Sequence, residues 1–217
     1  MTDPKGRRRR NPERTRSAVL RAAEKLFSRR GYSGTSMRDI ARTSGVSQPL
    51  IHHHFGSKQD LYAAVRQRAI DRVRENQEPW LQCSRGTAAE LLEAVGARFA
   101  FDRDNPTVRR LGTWARLEGD NLPWPGEAEV YLKVCQHIRE AEEDGEIRED
   151  IDPFLLAVMV VAMTRHWWDN REVLAKLATS TRQLTGASDE GKSMDDAYLE
   201  QIIGFLKRAV VRPRRKA

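Results

Sequence analysis

The sequence has few of the features that mark a secreted or a membrane-spanning protein. Only two of its 217 residues are cysteines, Cys83 and Cys135, and their separation matches no metal-binding or redox motif. The longest apolar run, residues 153–163, is too short to cross a bilayer. The arginine-rich N-terminus carries no apolar segment, so no secretory signal is expected. These absences predict unpaired thiols, no membrane partner and a cytoplasmic location.

Strand patterns and catalytic motifs are scarce as well. Apolar residues, 39% of the chain, recur at helical spacing, and no strand pattern competes with them. The chain shows no nucleophile paired with a base, no glycine-rich phosphate loop and no paired carboxylates. The sequence therefore predicts an all-α protein that is not an enzyme and carries no cofactor.

Positive charge is abundant, and it is concentrated at one end. Residues 1–58 hold fourteen lysines and arginines against four acidic residues, a net charge of +10, whereas the remainder carries −3. Such an uneven distribution indicates a polyanion-binding surface near the N-terminus.

The most informative stretch, residues 35–58, has the signals of two short helices joined by a tight turn. Ser36 is placed to cap the first helix, and Ser47 to cap the second, which has Pro49 in its first turn. Gly45 supplies the left-handed backbone that the turn requires. This arrangement is typical of a helix-turn-helix, whose second helix enters the major groove of DNA.

The pattern around this turn is much longer than the turn itself. It runs in order through Thr15, Arg16, Leu20, Ala22, Ala23, Leu26, Phe27, Gly31, Tyr32, Thr35, Ser36, Met37, Ile40, Ala41, Gly45, Val46, Ser47, His54, Phe55, Ser57 and Lys58. This extended pattern resembles the DNA-binding domain of the tetracycline-repressor (TetR) family of transcriptional regulators. The resemblance implies a three-helix DNA-binding head, a larger helical body that binds a small-molecule effector, and a homodimer on double-stranded operator DNA.

Composition and helix signals divide the chain into four segments. We expect a disordered basic arm at 1–10, a helix-turn-helix domain at 11–57, a helical ligand-binding and dimerisation domain at 58–211, and a basic tail at 212–217.

Helix signals within the body are capping residues and prolines. Ser57 and Asp60 form the capping box of a helix at about 58–76, which Pro79 is expected to break. Further helices are expected at 88–102, from Pro106, at 127–143, at 153–168 with a second piece to residue 184, and at 193–210 after a polar loop at 186–192.

Gln48 and Pro49 stand at the exposed start of the second helix, where the resemblance places base-reading residues. Glutamine can pair with N6 and N7 of adenine, and proline can contact a thymine methyl group. Arg38 matches a further base-reading position and suits guanine. A phosphate contact or a solvated side chain is the alternative for Arg38.

Other polar residues near the turn are expected to contact the DNA backbone. Hydroxyls at helix starts and a nearby lysine suit phosphate oxygens, and the candidates are Thr35, Ser36, Ser47 and Lys58. Arg7, Arg8, Arg9 and Arg10 form an arm that could enter the minor groove or stay solvated.

Three consecutive histidines, His52, His53 and His54, raise the question of a metal site. Consecutive helical side chains point about 100° apart, so three cannot converge on one ion, and no metal is predicted. In the TetR family, His54 matches a characteristic histidine, whereas the two preceding positions are usually aromatic and touch phosphate. Protonated histidines there would make DNA binding depend on pH, and neutral imidazole donors are the alternative.

The body contains many aromatic residues that could line an effector pocket with a few polar groups. The candidates are Phe99, Trp114, Trp124, Arg165, His166 and Trp167, with ordinary core packing as the alternative for the aromatic residues. Apolar stripes on the last two helices predict the dimer interface, with Phe154, Val158, Val161, Tyr198, Ile202, Phe205 and Leu206 as candidates.

Taken with the resemblance, these patterns predict a ligand-responsive transcriptional regulator, a repressor released from a palindromic operator by a small-molecule inducer. The alternative is an architectural DNA-binding protein without an inducer, which would bind with a steep salt dependence and little sequence preference.

Overall fold

A computed structural model of the protein describes residues 12–81, 86–185 and 193–212. Within these ranges the chain is helical, as predicted, and the helices are α1 (Pro12–Arg30), α2 (Met37–Ser44), α3 (Gln48–Phe55), α4 (Lys58–Leu81), α5 (Ala88–Asp104), α6 (Pro106–Leu117), α7 (Glu127–Glu143), α8 (Pro153–Thr185) and α9 (Met194–Ala209). The predicted arm at 1–10, the loop at 186–192, Cys83 and the tail beyond Arg212 lie outside the described residues.

Two of the predicted helix ends are wrong. The fourth helix does not end before Pro79 but runs to Leu81, with the proline in its last turn. The predicted break near Trp168 is absent, and α8 is one continuous helix of 33 residues. Asp169 and Asn170 do not interrupt it because their side chains are held: Asp169 pairs with Arg165, and Asn170 donates to the His166 carbonyl at 3.0 Å.

Contacts divide the chain into two compact units, at a different place from the predicted boundary at residue 58. The head unit ends at Ala69 and takes in Arg110–Leu122, whereas the body unit begins at Ile70 and lacks that segment. Glu118 explains the inclusion of the later segment in the head unit, because its carboxylate accepts the backbone N–H groups of Tyr32 and Ser33 at 2.9 Å each. Arg66 and Asp120 form a second link between the two segments of the head unit.

The core of the head unit is built by apolar faces of short helices that would not be stable alone. Helices α2 and α3 have eight residues each and pack against α1 and each other. Their shared core consists of side chains that are at most 1% exposed: Val19, Ala23, Phe27, Ile40, Ile51, Leu61 and Val65. This packing fixes α2 and α3 as a rigid pair.

The body unit is a bundle in which α5, α7 and α8 pack against one another and α9 packs on α5. Its main core contains Ala88, Val95, Ile138, Ala141, Ile147, Leu156, Ile202, Leu206 and Val210. Beyond the helices, a single antiparallel bridge joins Ile147 to Val211 among the described residues. In the same part of the chain, no helix is both long and apolar enough to cross a membrane.

A second cluster in the body unit is aromatic, and its polar atoms are all used. Trp167 stacks on Tyr198 with ring centroids 4.2 Å apart, and Phe99 lies 4.9 Å from Trp168. The Trp168 indole N–H donates to the Phe99 carbonyl at 2.9 Å, and the Tyr198 hydroxyl donates to the Met163 carbonyl at 3.0 Å. These bonds make the cluster a fully satisfied structural core.

Candidate nucleic-acid interface

The turn between α2 and α3 has the geometry that the sequence predicts. At the start of α2, the Ser36 hydroxyl accepts the Asp39 N–H at 3.1 Å and donates its own proton to the Asp39 carboxylate at 2.6 Å. The latter bond holds the pKa of Asp39 below its ordinary value. Gly45 ends α2 with φ 69°, a left-handed conformation that side chains other than glycine rarely adopt. A firmly capped α2 therefore leads directly into α3.

Ser47 begins α3 but does not cap it as predicted. Its backbone is extended, as an N-cap residue requires, yet its side chain makes no capping hydrogen bond. The Ser47 hydroxyl is exposed, so it can donate to a group outside the protein. The helix start is instead shaped by Pro49, which has a suitable fixed φ and needs no acceptor.

The three predicted base-reading residues are all exposed on this rigid pair of helices. Arg38 makes no hydrogen bond or ion pair within the described residues, and Pro49 presents its ring to solvent. Gln48 Nε2 lies 3.5 Å from Nε2 of His52, one helical turn further along α3. The structure thus places the Gln48 amide and the Arg38 guanidinium where they are accessible and uncommitted to the core.

Of the predicted phosphate-contacting residues, Thr35 is the exception. It is 1% exposed, and its hydroxyl donates to the Gly31 carbonyl at 2.8 Å. Thr35 therefore stabilises the chain reversal between α1 and α2, and its side chain cannot reach a phosphate. The sequence did not reveal this because a hydroxyl just before a helix suits either role.

Lys58 is held in place by an aromatic ring. Its ammonium lies 4.1 Å from the ring centroid of Tyr32, a cation–π contact that offsets the unfavourable position of a cation at a helix N-terminus. Asp60 contributes to the same helix start, because Ser57 and Asp60 form both bonds of the predicted capping box, at 3.0 and 3.1 Å. Lys58 is thus half-buried and oriented.

The three histidines have different environments. His52 Nδ1 lies 2.7 Å from the Gly56 carbonyl oxygen, so Nδ1–H donates and the opposite ring nitrogen, Nε2, is turned toward Gln48. His53 is exposed, and His54 is half-buried beside Phe55. Within the described residues, no three histidine, cysteine or acidic side chains are grouped as metal ligands.

The predicted effector-binding residues do not come together in one site. Trp114 belongs to the head unit, where its ring packs against Gly31. Trp124 lies in the loop before α7, and His166 is exposed on α8. Phe99 and Trp167 are 4% and 5% exposed and belong to the aromatic cluster.

Arg165, the remaining member of that set, belongs to a polar network that sequence reasoning missed. Its guanidinium donates to the Arg109 carbonyl at 2.6 Å and pairs with Asp169. In the same network, Asp102 is completely buried and paired with Arg98. The signal available in the sequence was the four-residue spacing of Arg98 from Asp102 and of Arg165 from Asp169.

The predicted dimer residues separate into two groups. Phe154, Val158 and Phe205 are 51%, 37% and 56% exposed, and Val161 and Tyr198 are half-buried. Ile202 and Leu206 are instead 5% and 4% exposed in the core of a single chain. They cannot also cover a partner, so these two assignments are wrong.

Comparison with protein families finds two matches along the chain. Residues 19–65 match the model described as bacterial regulatory proteins, tetR family. Residues 90–189 match the model described as tetracyclin repressor-like, C-terminal domain. The two models together take in the helix-turn-helix and most of the body.

Individual relatives resemble the chain over nearly its whole length. It is 28% identical over 223 residues to the HTH-type transcriptional regulator RutR of Escherichia coli K12, covering 96% of each chain. Among solved structures, the Streptomyces coelicolor regulator SCO4942 has a TM-score of 0.73 and 24% identity, with 92% of this chain and 99% of that one covered. AibR, solved with isovaleryl coenzyme A and operator DNA, has a TM-score of 0.64 and 17% identity, with 88% and 97% covered. At these identities the structural likenesses show the shared fold.

Proposed function

Because the chain belongs to the TetR family of bacterial transcriptional regulators, we propose that it is a repressor that a small molecule releases from a palindromic operator. In this proposal the head unit reads the operator, the body unit binds the effector, and two copies act together. Neither catalysis nor a cofactor is part of the proposal.

The observation that carries the proposal is the exposed polar surface at the start of α3. Gln48 and Pro49 are exposed at the N-terminal end of a helix whose other face is anchored by Ile51, which is 0% exposed. A rigid helix with an exposed amide at its leading end is suited to the major groove, where Gln48 would pair with an adenine. Arg38, on the neighbouring helix, would contact guanine or phosphate.

Backbone contacts would fix the position of this helix on the duplex. Ser47 and Lys58 flank α3, and both can donate to phosphate oxygens on the two sides of the groove. His53, which is exposed, would add a contact to the same backbone. Such contacts supply affinity without discriminating between sequences.

An apolar surface on α8 and α9 supports a homodimer. Leu155, Met159 and Phe205 are 56%, 50% and 56% exposed, and Val173 and Leu177, further along α8, are 59% and 57% exposed. Large apolar side chains spaced along one long helix are costly to leave in water. A second copy would cover them by a four-helix arrangement of α8 and α9 from each chain. Two heads related by this symmetry would match a palindromic site.

The effector would act by favouring one of two arrangements of the dimer. If it binds more tightly to an arrangement whose heads do not fit successive major grooves, it lowers operator affinity by that difference in binding free energy. The relative AibR was solved with both a ligand and operator DNA, and this supports the same combination here.

The proposal is tested by footprinting the purified protein on the DNA that flanks its own gene. The expected result is two protected half-sites in inverted repeat, with centres about 34–36 Å apart or at a multiple of that distance. Diffuse protection without sequence preference, lost steeply as salt rises, would instead favour the architectural protein without an inducer.

A further inference from the structure

The side chain of His52 connects the start of α3 with the turn that ends it. His52 lies one helical turn after Gln48 and one helical turn before Gly56, so its ring can reach both residues. Its Nδ1 atom lies 2.7 Å from the Gly56 carbonyl oxygen, and its Nε2 atom lies 3.5 Å from Nε2 of Gln48. The exposed ring of His52 therefore bridges the turn and the residue that is placed to read a base.

The Gly56 carbonyl determines which nitrogen of the His52 ring carries the proton. A carbonyl oxygen can only accept a hydrogen bond, so the 2.7 Å contact requires the proton on Nδ1. Neutral imidazole has a single N–H group, and its other nitrogen carries a lone pair. The Nε2 atom of His52 is therefore an acceptor that is turned toward Gln48.

The turn after α3 holds this carbonyl in position. Gly56 has φ 75°, in the left-handed region that favours glycine, and its N–H donates to the His52 backbone carbonyl at 2.8 Å. The capping box of Ser57 and Asp60 restrains the chain immediately after this glycine. Backbone structure thus sets the orientation of the His52 ring.

An acceptor beside Gln48 favours one of the two orientations of its amide. The amide nitrogen donates and the amide oxygen accepts, so the orientation with Nε2 toward the ring is the favourable one. One N–H of Gln48 then donates to His52. The other N–H and Oε1 lie on the outer edge of the amide, where they match N7 and the N6 amino group of adenine. The reversed amide would place two acceptors against each other.

From these contacts we propose that His52 is a positioning residue that sets the base preference of Gln48. This inference rests on the proposed function, because it concerns base reading by α3. The ring of His52 holds the Gln48 amide in the orientation that pairs with adenine, so the cost of ordering the amide is met before DNA binds. Without the ring nitrogen, both orientations are open to the amide, and the affinity for adenine falls relative to the other bases.

Base substitutions in the operator test this role, with all affinities measured at about pH 8, where imidazole is ordinarily neutral. Each base pair of one protected half-site is replaced in turn, and Gln48→Ala identifies the pair whose discrimination depends on Gln48. At that pair, His52→Phe is expected to reduce the preference for adenine by about threefold to tenfold, the range for one neutral hydrogen bond. Unchanged discrimination at that pair overturns the proposal.

A double-mutant cycle separates positioning from direct contact with the base. In a Gln48→Ala background, His52→Phe should cause no further loss of discrimination at that pair, because the amide that His52 positions is gone. An equal loss with and without Gln48 would show that His52 reads the base itself, and this result overturns the proposal. The matched control is His53→Phe, at the exposed neighbouring ring, which should lower the affinity for all sequences alike.

The ring proton of His52 gives a readout that does not depend on DNA. Nitrogen-15 NMR of the free protein at about pH 8 is expected to show this proton on Nδ1, the nitrogen that faces Gly56. A proton on Nε2 overturns the proposal, because that nitrogen could not accept a hydrogen bond from Gln48.

The operator footprint separates failure of this inference from failure of the proposed function. If the footprint is specific and His52→Phe keeps the natural discrimination, the positioning role is wrong and the regulator stands. If protection is diffuse and no base is preferred, the proposed function is wrong, and the role of His52 in base reading is wrong with it.

Discussion

Polar side chains serve different purposes in the head unit and in the body unit. Around α3 they are exposed and available: Gln48 and Arg38 face solvent, and the Ser47 hydroxyl caps nothing. In the body unit they are buried and paired, as with Asp102 and Thr164, which are both 0% exposed. The exposed groups of the head are thus suited to meeting an external polyanion, whereas the charged groups of the buried network in the body bond to one another.

This comparison gives a rule for the effects of mutations. Changing an exposed polar group of the head should alter DNA binding with little loss of stability. Changing a buried, paired group of the body should mainly lower the free energy of unfolding. Substitutions of both kinds, together with substitutions in the exposed apolar surface of α8 and α9, distinguish these two effects.

The largest effect is expected from the exposed apolar surface of the body. Replacing both Met159 and Phe205 with glutamate should give monomers and weaken operator binding by about a hundredfold or more, because one head cannot occupy two half-sites. Sedimentation and operator affinity are the measurements. Leu132→Glu, at a residue of α7 that is 60% exposed, is the control and should remain dimeric. A double variant that sediments as a dimer would place the interface elsewhere.

The next largest effect is expected at Asp102. Asp102→Ala leaves the Arg98 guanidinium half-buried without its carboxylate, which should cost about 3–5 kcal/mol of unfolding free energy. Denaturant unfolding at fixed protein concentration measures this loss. Asp104→Ala, which removes an exposed carboxylate two residues away, should change stability little. Similar stability losses in the two variants would show that the buried carboxylate of Asp102 stabilises the protein no more than an exposed carboxylate does.

The sequence predicted local structure in the head unit better than it predicted contacts in the body unit. Caps of the head involve residues three positions apart, such as Ser36 with Asp39 and Ser57 with Asp60, and local pattern predicted these two. The same pattern also predicted a cap by Ser47, whose side chain makes no capping bond. Contacts of the body join residues far apart in the chain, such as Asp102 with Thr164. No local pattern reports which distant helix a polar residue will meet.

The spacing of apolar residues also could not predict which of them are buried within one chain. The stripe on α9 correctly indicated which positions are apolar, yet it could not distinguish Ile202, which packs inside its own chain, from Phe205, which is exposed. Trp114 was misassigned to the body for the same reason. Its helix begins in the body unit and ends in the head unit, a division that spacing alone does not reveal.

A smaller effect is expected at Glu118, one of the residues that join the two segments of the head unit. Glu118→Gln leaves only one acceptor oxygen for the N–H groups of Tyr32 and Ser33, which should cost about 1 kcal/mol locally. Hydrogen exchange at these two amides should then accelerate by roughly fivefold. Glu93→Gln on α5 is the control and should leave both rates unchanged. Unchanged rates in the Glu118 variant would mean that this carboxylate does not hold the turn in solution.

The smallest effect is expected from pH. If His52 and His53 gain protons beside phosphates, operator affinity should rise, by less than about tenfold, as pH falls from about 8 to 6. The sign follows from linkage, because proton uptake on binding means that protons favour the complex. Replacing both residues with tyrosine should remove the slope at constant ionic strength. A slope that survives the double change would assign the pH dependence to other groups.

Base reading by Gln48 is the central claim about the head, and one measurement tests it directly. The affinity of Gln48→Ala is compared on the protected operator and on random DNA at the same salt concentration, with Lys58→Ala alongside. We expect Gln48→Ala to weaken operator binding by about ten- to a hundredfold and random binding hardly at all. Lys58→Ala should weaken both to a similar extent. Equal losses on the two DNAs for Gln48→Ala would contradict sequence reading by this residue.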